Sequence, residues 1–311
     1  MTYESSVYNK MKKYLILSIA VIFGLAIYFA GVTDLRTPPK KHPGQNEIPA
    51  RIISINPAVT EIIFELGCQD KLVAISDYCN YPSQTAGIEK IGGVTSQNFE
   101  RISFLKPDLI IVQGESKHLT DFCEKRNIEW VSINLRYIDE IYDGIKQLGE
   151  ILGSAEKAEN LCDKISAQFK DIENRVSSAK KKKVFFSFFR TPGSLAGITT
   201  VGPKTCLSEL ITLAGGINIF DDVSQDYTVI SKESLLKRQP DIIIEPYAVF
   251  RDNKKDTAQA IKDWSKLGAL DAVKNNRICF IDPDLVLKPG PRIGQATLKL
   301  AMLLHPELFS E

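Results

Sequence analysis

The feature that most restricts the fold of this chain is an internal repeat. Glu100-Arg-Ile-Ser-Phe-Leu-Lys-Pro107-Asp108-Leu-Ile-Ile and Glu233-Ser-Leu-Leu-Lys-Arg-Gln-Pro240-Asp241-Ile-Ile-Ile carry Glu, Pro and Asp in register. Proline disfavours helical backbone in the residue before it, so each copy reads as a short helix stopped by Pro-Asp and followed by a continuously apolar strand. Such duplication predicts two lobes of similar construction, with a cleft between them as a favoured place for a ligand.

The remaining pattern fits that plan. Short β-rich runs, RIISI (51–55), LVAIS (72–76), DLIIVQ (108–113), EWVSI (129–133), KVFFSFF (183–189), DIIIEP (241–246) and RICFI (277–281), alternate with helical spacing. Alternation of this kind, with runs too apolar for half-exposed strands, predicts mostly parallel sheets covered on both faces. Residues 138–179 break the rhythm. Ala155, Ala158, Leu161, Cys162, Ile165, Phe169, Ile172 and Val176 mark one face of a helix over 154–178, roughly 37 Å long at 1.5 Å per residue. A helix of that length bridges two lobes more readily than it fits inside one. The expected fold is therefore α/β, with two lobes built on central, mostly parallel sheets flanked by helices and joined by a single long backbone helix.

Residues 14–32 (YLILSIAVIFGLAIYFAGV) are nineteen uncharged residues preceded by Lys10, Lys12 and Lys13. The run nearly spans a bilayer core, and the lysines place the rest of the chain outside the cytoplasm. It reads as an uncleaved anchor or a poorly marked signal segment; Tyr28 spoils an Ala-x-Ala site at Ala30, and no cysteine precedes Cys68 to accept lipid. Residues 33–49, with four prolines, read as a stiff tether. The expected organisation is an anchor or signal segment (1–32), tether (33–49), first lobe (50–137), bridging helical region (138–180) and second lobe (181–311).

A formal charge of +1 supplies no field for polyanions, so nucleic acid is a poor partner. Six scattered cysteines include no C-x-x-C pair, which argues against a zinc ribbon or redox motif and favours free buried thiols. Gly197-x-x-x-x-Gly202-Pro203-Lys204-Thr205 imitates a phosphate loop, but Pro203 adds a residue and removes a backbone donor; it reads as a turn before a helix. Of three histidines, His42 lies in the tether and His305 near the C-terminus, leaving His118 alone. No catalytic constellation, metal site or bound cofactor is expected.

Four places give the chain from Arg51 onward a family likeness: Arg51-Ile-Ile-Ser-Ile-Asn-Pro57-Ala-Val-Thr60-Glu61 with Leu66-Gly67; Ser76-Asp77-Tyr78-Cys79-Asn80-Tyr81-Pro82; Asn98-Phe99-Glu100-Arg101-Ile102 with Leu105-Lys-Pro107-Asp108; and Gly215-Gly216-Ile-Asn218-Ile-Phe220 with Gly290-Pro291-Arg292-Ile293. The chain resembles the helical-backbone class of ABC-importer solute-binding proteins, which serve cobalamin, haem and ferric siderophores; the second motif looks most like the cobalamin branch. The resemblance implies a monomer that captures a corrinoid outside the membrane and delivers it to a permease with its ATPase subunits. It implies that Glu100 and Glu233 dock onto that permease, a role that competes with a helix first-turn glutamate. It implies ligand contacts from Tyr78 and Tyr227, and from Asp284 and Lys288 on the second lobe's ligand-facing loop. Arg292 points into the cleft or caps the last helix. Arg190 joins the candidates because it follows a strand at its C-terminal edge, where α/β sheets present ligands.

The chain departs from the cobalamin pattern where tryptophans are expected in the first lobe, carrying Val94 and Gln113 instead. Two alternatives stand beside the corrinoid: a ferric siderophore or haem, the former wanting several cleft arginines, and a nitrogenase-like or chelatase-type enzyme, which needs cluster-ligating cysteines or a catalytic histidine.

Overall fold

The computed structural model describes residues 48–114, 116–246 and 253–309. The apolar run at 14–32, and the proline-rich segment as far as residue 47, lie outside the described residues. Among the described residues no helix is long and apolar enough to cross a membrane.

One sheet is wholly parallel, with strands β1 (Ile52–Ser54), β2 (Leu72–Ile75), β5 (Leu109–Gln113) and β6 (Glu129–Ile133) in the order β2-β1-β5-β6. A two-stranded hairpin, β3 (Gly92–Gly93) and β4 (Ser96–Gln97), accompanies it. The other sheet is built from β7 (Lys182–Phe189), β8 (Thr199–Val201), β9 (Gly216–Asn218), β10 (Tyr227–Val229), β11 (Ile242–Pro246) and β12 (Ile278–Ile281). Strands β9, β7, β11 and β12 pair in parallel, while β8 and β10 extend the sheet antiparallel from β7. The helices are α1 (Pro57–Glu65), α2 (Phe99–Leu105), α3 (Lys117–Arg126), α4 (Ile138–Ile151), α5 (Ala155–Val176), α6 (Cys206–Leu213), α7 (Lys232–Arg238), α8 (Asn253–Trp264), α9 (Asp271–Lys274), α10 (Pro283–Val286) and α11 (Ile293–Leu304). All seven strands expected from the sequence are present; β8, β9, β10 and the hairpin are too short to show a period of their own.

Both sheets are covered on both faces, as their apolar runs require. In the first, Ile52, Leu109 and Ile111 face α1, α4 and α5, whereas Ile53, Ile110 and Val112 face Ile102 of α2 and Leu119 and Cys123 of α3. In the second, Val184, Phe186, Ile242 and Ile244 face α6 and α11, while Phe185 and Ile243 face Leu235 of α7 and Trp264 of α8. The bridging helix α5 has 22 residues, about 33 Å at 1.5 Å each, and buries every member of the expected apolar face except Ala155. It packs on α4 and on α11. Gly149 of α4 permits the first contact, because a Cβ there would stand 2.4 Å from the Ala158 methyl.

The repeat builds the same joint twice. Helices α2 and α7 are capped by Asn98 and Ser231, whose side chains accept from the backbone N–H of Arg101 and Ser234. Both end on a left-handed residue before the proline, Lys106 at φ 46° and Gln239 at φ 47°. The aspartate after each proline clamps the neighbouring strand. The Asp108 carboxylate accepts from the N–H of Ala50 and Arg51 at 2.8 and 3.0 Å, and that of Asp241 accepts from the N–H of Lys183 at 2.7 Å. Each aspartate also donates its own N–H to the carbonyl of the residue it holds, Arg51 or Lys183. The clamp thereby sets the register of β5 on β1 and of β11 on β7.

The lobes also meet directly. Gly290 lies against Ala58 of α1, where a Cβ on the glycine would stand 2.9 Å from the alanine methyl. This close approach lets Arg292 reach Glu61, one turn further along α1. The guanidinium forks the carboxylate at 2.7 and 2.6 Å, and Glu61 and Arg292 are only 2% and 9% exposed. Burial pushes the Glu61 carboxyl above the usual carboxylate range, and Arg292 draws it back only in part. Arg292→Ala should therefore cost about 3–5 kcal/mol, because it leaves a buried carboxylate unpaired. In urea unfolding, Glu61→Leu with Arg292→Met should recover most of that loss; an equal loss in the double variant would show that the pairing is not what the single variant removes.

Candidate ligand cleft

Ligands of open α/β sheets collect at the C-terminal strand edges, and in this chain both sheets turn such an edge toward the lobe junction. In the first lobe the loop after β2 is held by a buried thiol. Cys79 is fully buried, its Sγ lies 3.2 Å from Thr60 Oγ1 and from Ser76 Oγ, and its carbonyl accepts from the Lys90 ammonium. Asp77 N–H donates to the Gly92 carbonyl of the hairpin at 2.9 Å. With its centre pinned, the loop turns Tyr78 and Tyr81 outward, 51% and 42% exposed. The Tyr78 ring lies over Gly93, where a Cβ would stand 3.4 Å from its Cε2.

From the second lobe, the loop after β12 supplies the opposing groups. Asp282 caps α10, accepting from the N–H of Asp284 at 2.9 Å. Lys288, one turn beyond Asp284, reaches its carboxylate at 2.7 Å. Between them sits Asn80 of the first lobe, donating to Asp284 Oδ2 at 2.8 Å and accepting from Lys288 Nζ at 2.6 Å. Burial opposes ionisation of Asp284, but the hydrogen bond and charge of Lys288, aided by Asn80, hold its carboxyl below the usual range. Arg292 donates to the Asp284 carbonyl at 2.8 Å, and its guanidinium lies 4.0 Å from the Tyr81 ring centre.

The structure thus brings Tyr78, Asp284, Lys288 and Arg292 to one junction. Arg292 neither stands free in the cleft nor caps α11 through its side chain; Glu61 holds it. Arg190 is elsewhere and fully occupied: its guanidinium binds Glu245 and Asp263, each at 3.0 Å, and lies over Trp264, whose indole N–H donates to Glu245 at 2.7 Å. Its place after β7 suggested a cleft cation, but the acids of β11 and α8 turn it inward. Half-buried Tyr227 packs on Phe188, ring centres 4.7 Å apart, and burial foremost raises its phenol far above the ordinary value. Glu100 and Glu233 are exposed in the first turns of α2 and α7, and Glu233's carboxyl is held below its usual range by its own backbone N–H and by Ser231.

Glu61, Asn80 and Tyr81 also belong to the junction, although none of them is a candidate site residue by sequence. An acid in mid-helix, flanked by Ala58, Val59, Ile62 and Ile63 in Pro57–Glu65, was the available signal for Glu61. Gln113, at one position where a tryptophan was expected, accepts from the amide of Asn56, whose own side chain caps α1. All six cysteines are free thiols; burial raises Cys123 to about 12 and Cys162 to about 11. Among the described residues no three His, Cys, Asp or Glu side chains converge on a metal position. A hollow of about 620 Å³ opens away from this junction, between Ile138, Ser166, Phe169 and Leu213. It has neither the strand edges nor the paired loops that make the junction the candidate ligand site.

Residues 52–285 match the family model described as periplasmic binding protein. A Bacillus subtilis protein named as an uncharacterized ABC transporter substrate-binding lipoprotein is 29% identical over 271 residues, covering 85% of this chain and 82% of the relative. The Vibrio cholerae vitamin B12-binding protein is 29% identical over 257 residues, covering 82% and 88%. A solved structure from Staphylococcus epidermidis, described as a possible iron-binding, periplasmic solute-binding protein, superposes with a TM-score of 0.73 at 30% identity, covering 83% of this chain and all of that one. With its two α/β lobes, long bridging helix and inter-lobe cleft, the chain belongs to the periplasmic binding protein family, the extracytoplasmic solute-binding proteins of ABC transporters.

Proposed function

We propose that this protein captures a corrinoid, cobalamin or a close relative, and hands it to the permease of an ABC importer. The observation that carries this reading is the charge balance of the cleft. Among the described residues of the junction, Lys288 is paired with Asp284 and Arg292 with Glu61; Arg190, the other cation expected there from the sequence, is held away from it by Glu245 and Asp263. A ferric siderophore or haem brings carboxylates or other anionic donors that favour unpaired arginines. A corrin ring is broad, largely apolar and edged with amides, so it suits an exposed aromatic face beside neutral or balanced polar groups. Tyr78 supplies that face. The similarity to vitamin B12-binding proteins supports the same choice.

In this reading Glu100 and Glu233 are the permease contacts. They occupy equivalent exposed places on two copies of one joint, which suits a partner with matching subunits. Residues 1–32 hold the chain at the membrane, and 33–49 space the lobes from it.

Titration of the purified full-length chain with cyanocobalamin, cobinamide, haemin and a ferric hydroxamate tests the ligand. The expected outcome is a corrinoid Kd below roughly 1 μM, about 8 kcal/mol of binding free energy, and weaker binding of the iron compounds; tight haemin or hydroxamate binding without corrinoid binding contradicts it. Docking is read separately. Changing both Glu100 and Glu233 to Ala should abolish stimulation of the importer's ATPase and leave the corrinoid Kd within about twofold, since neither residue approaches the Asn80 cluster. A large loss of corrinoid affinity in that variant would place the two glutamates at the ligand instead.

A further inference from the structure

A primary carboxamide presents one acceptor and two donors, and its complement is a carboxylate beside an ammonium. Asp284 and Lys288 form such a complement, 2.7 Å from each other. The group it holds is the side-chain amide of Asn80, which comes from the opposite lobe and satisfies both partners at once. Asn80 is itself exposed, and the Asp284 side chain is half exposed, so the arrangement is open to exchange with another amide.

We propose that Asn80 is a built-in surrogate for a ligand amide: it occupies the Asp284–Lys288 pair, which the family likeness already makes a ligand contact, until a primary carboxamide of the ligand displaces it. The proposal rests on the corrinoid reading, since a corrin rim carries several primary amides. It also supplies a selection rule. A carboxylate in the same place could accept from Lys288 but would stand against the ionised Asp284, so a ligand with propionate edges is disfavoured where one with propionamide edges is accepted.

A simple latch between the lobes would use the same bonds, and the two roles predict opposite signs. If Asn80 only latches the lobes shut around the ligand, deleting its amide weakens binding. If Asn80 is a surrogate, deleting it removes a competitor and strengthens binding, while Glu61 and Arg292 still join the lobes.

The test is calorimetric titration of the full-length chain, wild type, Asn80→Ala and Asp284→Asn, with cyanocobalamin and with its monocarboxylic acids, in which one peripheral propionamide is hydrolysed to propionate. Asn80→Ala, checked for folding by circular dichroism, should bind cyanocobalamin about three- to tenfold more tightly, the range expected for exposed hydrogen bonds. At least one monocarboxylic acid should bind the wild type about tenfold more weakly than the parent, and Asp284→Asn should narrow that gap. Unchanged or weaker binding by Asn80→Ala, or monocarboxylic acids that all bind like the parent, overturns the proposal while leaving the corrinoid reading intact. A wild type that binds no corrinoid overturns both.

Discussion

The junction between the lobes depends on one buried ion pair. Glu61 and Arg292 lie far apart in sequence, and neither could be buried without the other, since an isolated charge in such a place costs several kcal/mol. Their fork fixes where the loop after β12 crosses α1, and Gly290 allows the approach by offering no side chain to Ala58. Once that crossing is set, Asp284 and Lys288 stand opposite Asn80, and Tyr81 lies beneath the Arg292 guanidinium. The candidate ligand groups are therefore positioned by a pair whose charges are already matched to each other.

The same economy governs charge throughout the cleft. At the junction Lys288 and Arg292 are matched by carboxylates, and the exposed rings of Tyr78 and Tyr81 sit on a loop whose centre is fixed by the buried Cys79. A rigid aromatic face beside balanced polar groups favours a large ligand of low net charge, and the long α5 helix, packed on α4 and α11, resists wide hinge motion.

Much of this was legible in the sequence. The Glu-Pro-Asp repeat specified two joints because each of its residues has a local job: a first-turn acid, a helix stop and a strand clamp. Continuous apolar runs marked the covered strands, and the 3.6-residue spacing marked α5. What the sequence did not disclose was pairing across the lobes. Arg190 and Arg292 look alike in their local settings, each at the edge of an apolar segment, and only the fold shows that Glu245 and Asp263 claim one and Glu61 the other. Asn80 stands inside the Ser76–Pro82 motif, yet its partners come from the far end of the chain. Tyr227 lies on the antiparallel part of the second sheet, where three-residue strands carry no periodic signal, so its packing on Phe188 could not be read from the sequence.

In the proposed function, a charge-balanced junction recognises the corrinoid by aromatic and amide contacts, which ionic strength barely touches. The most direct test of this recognition is the salt dependence of the cyanocobalamin Kd, measured on the full-length chain from roughly 0.02 to 0.5 M sodium chloride, over which the screening length falls from about 20 Å to about 4 Å. A change of less than about twofold is expected, because the cations at the junction among the described residues, Lys288 and Arg292, are each paired with a carboxylate. A loss of affinity of tenfold or more across that range would contradict it.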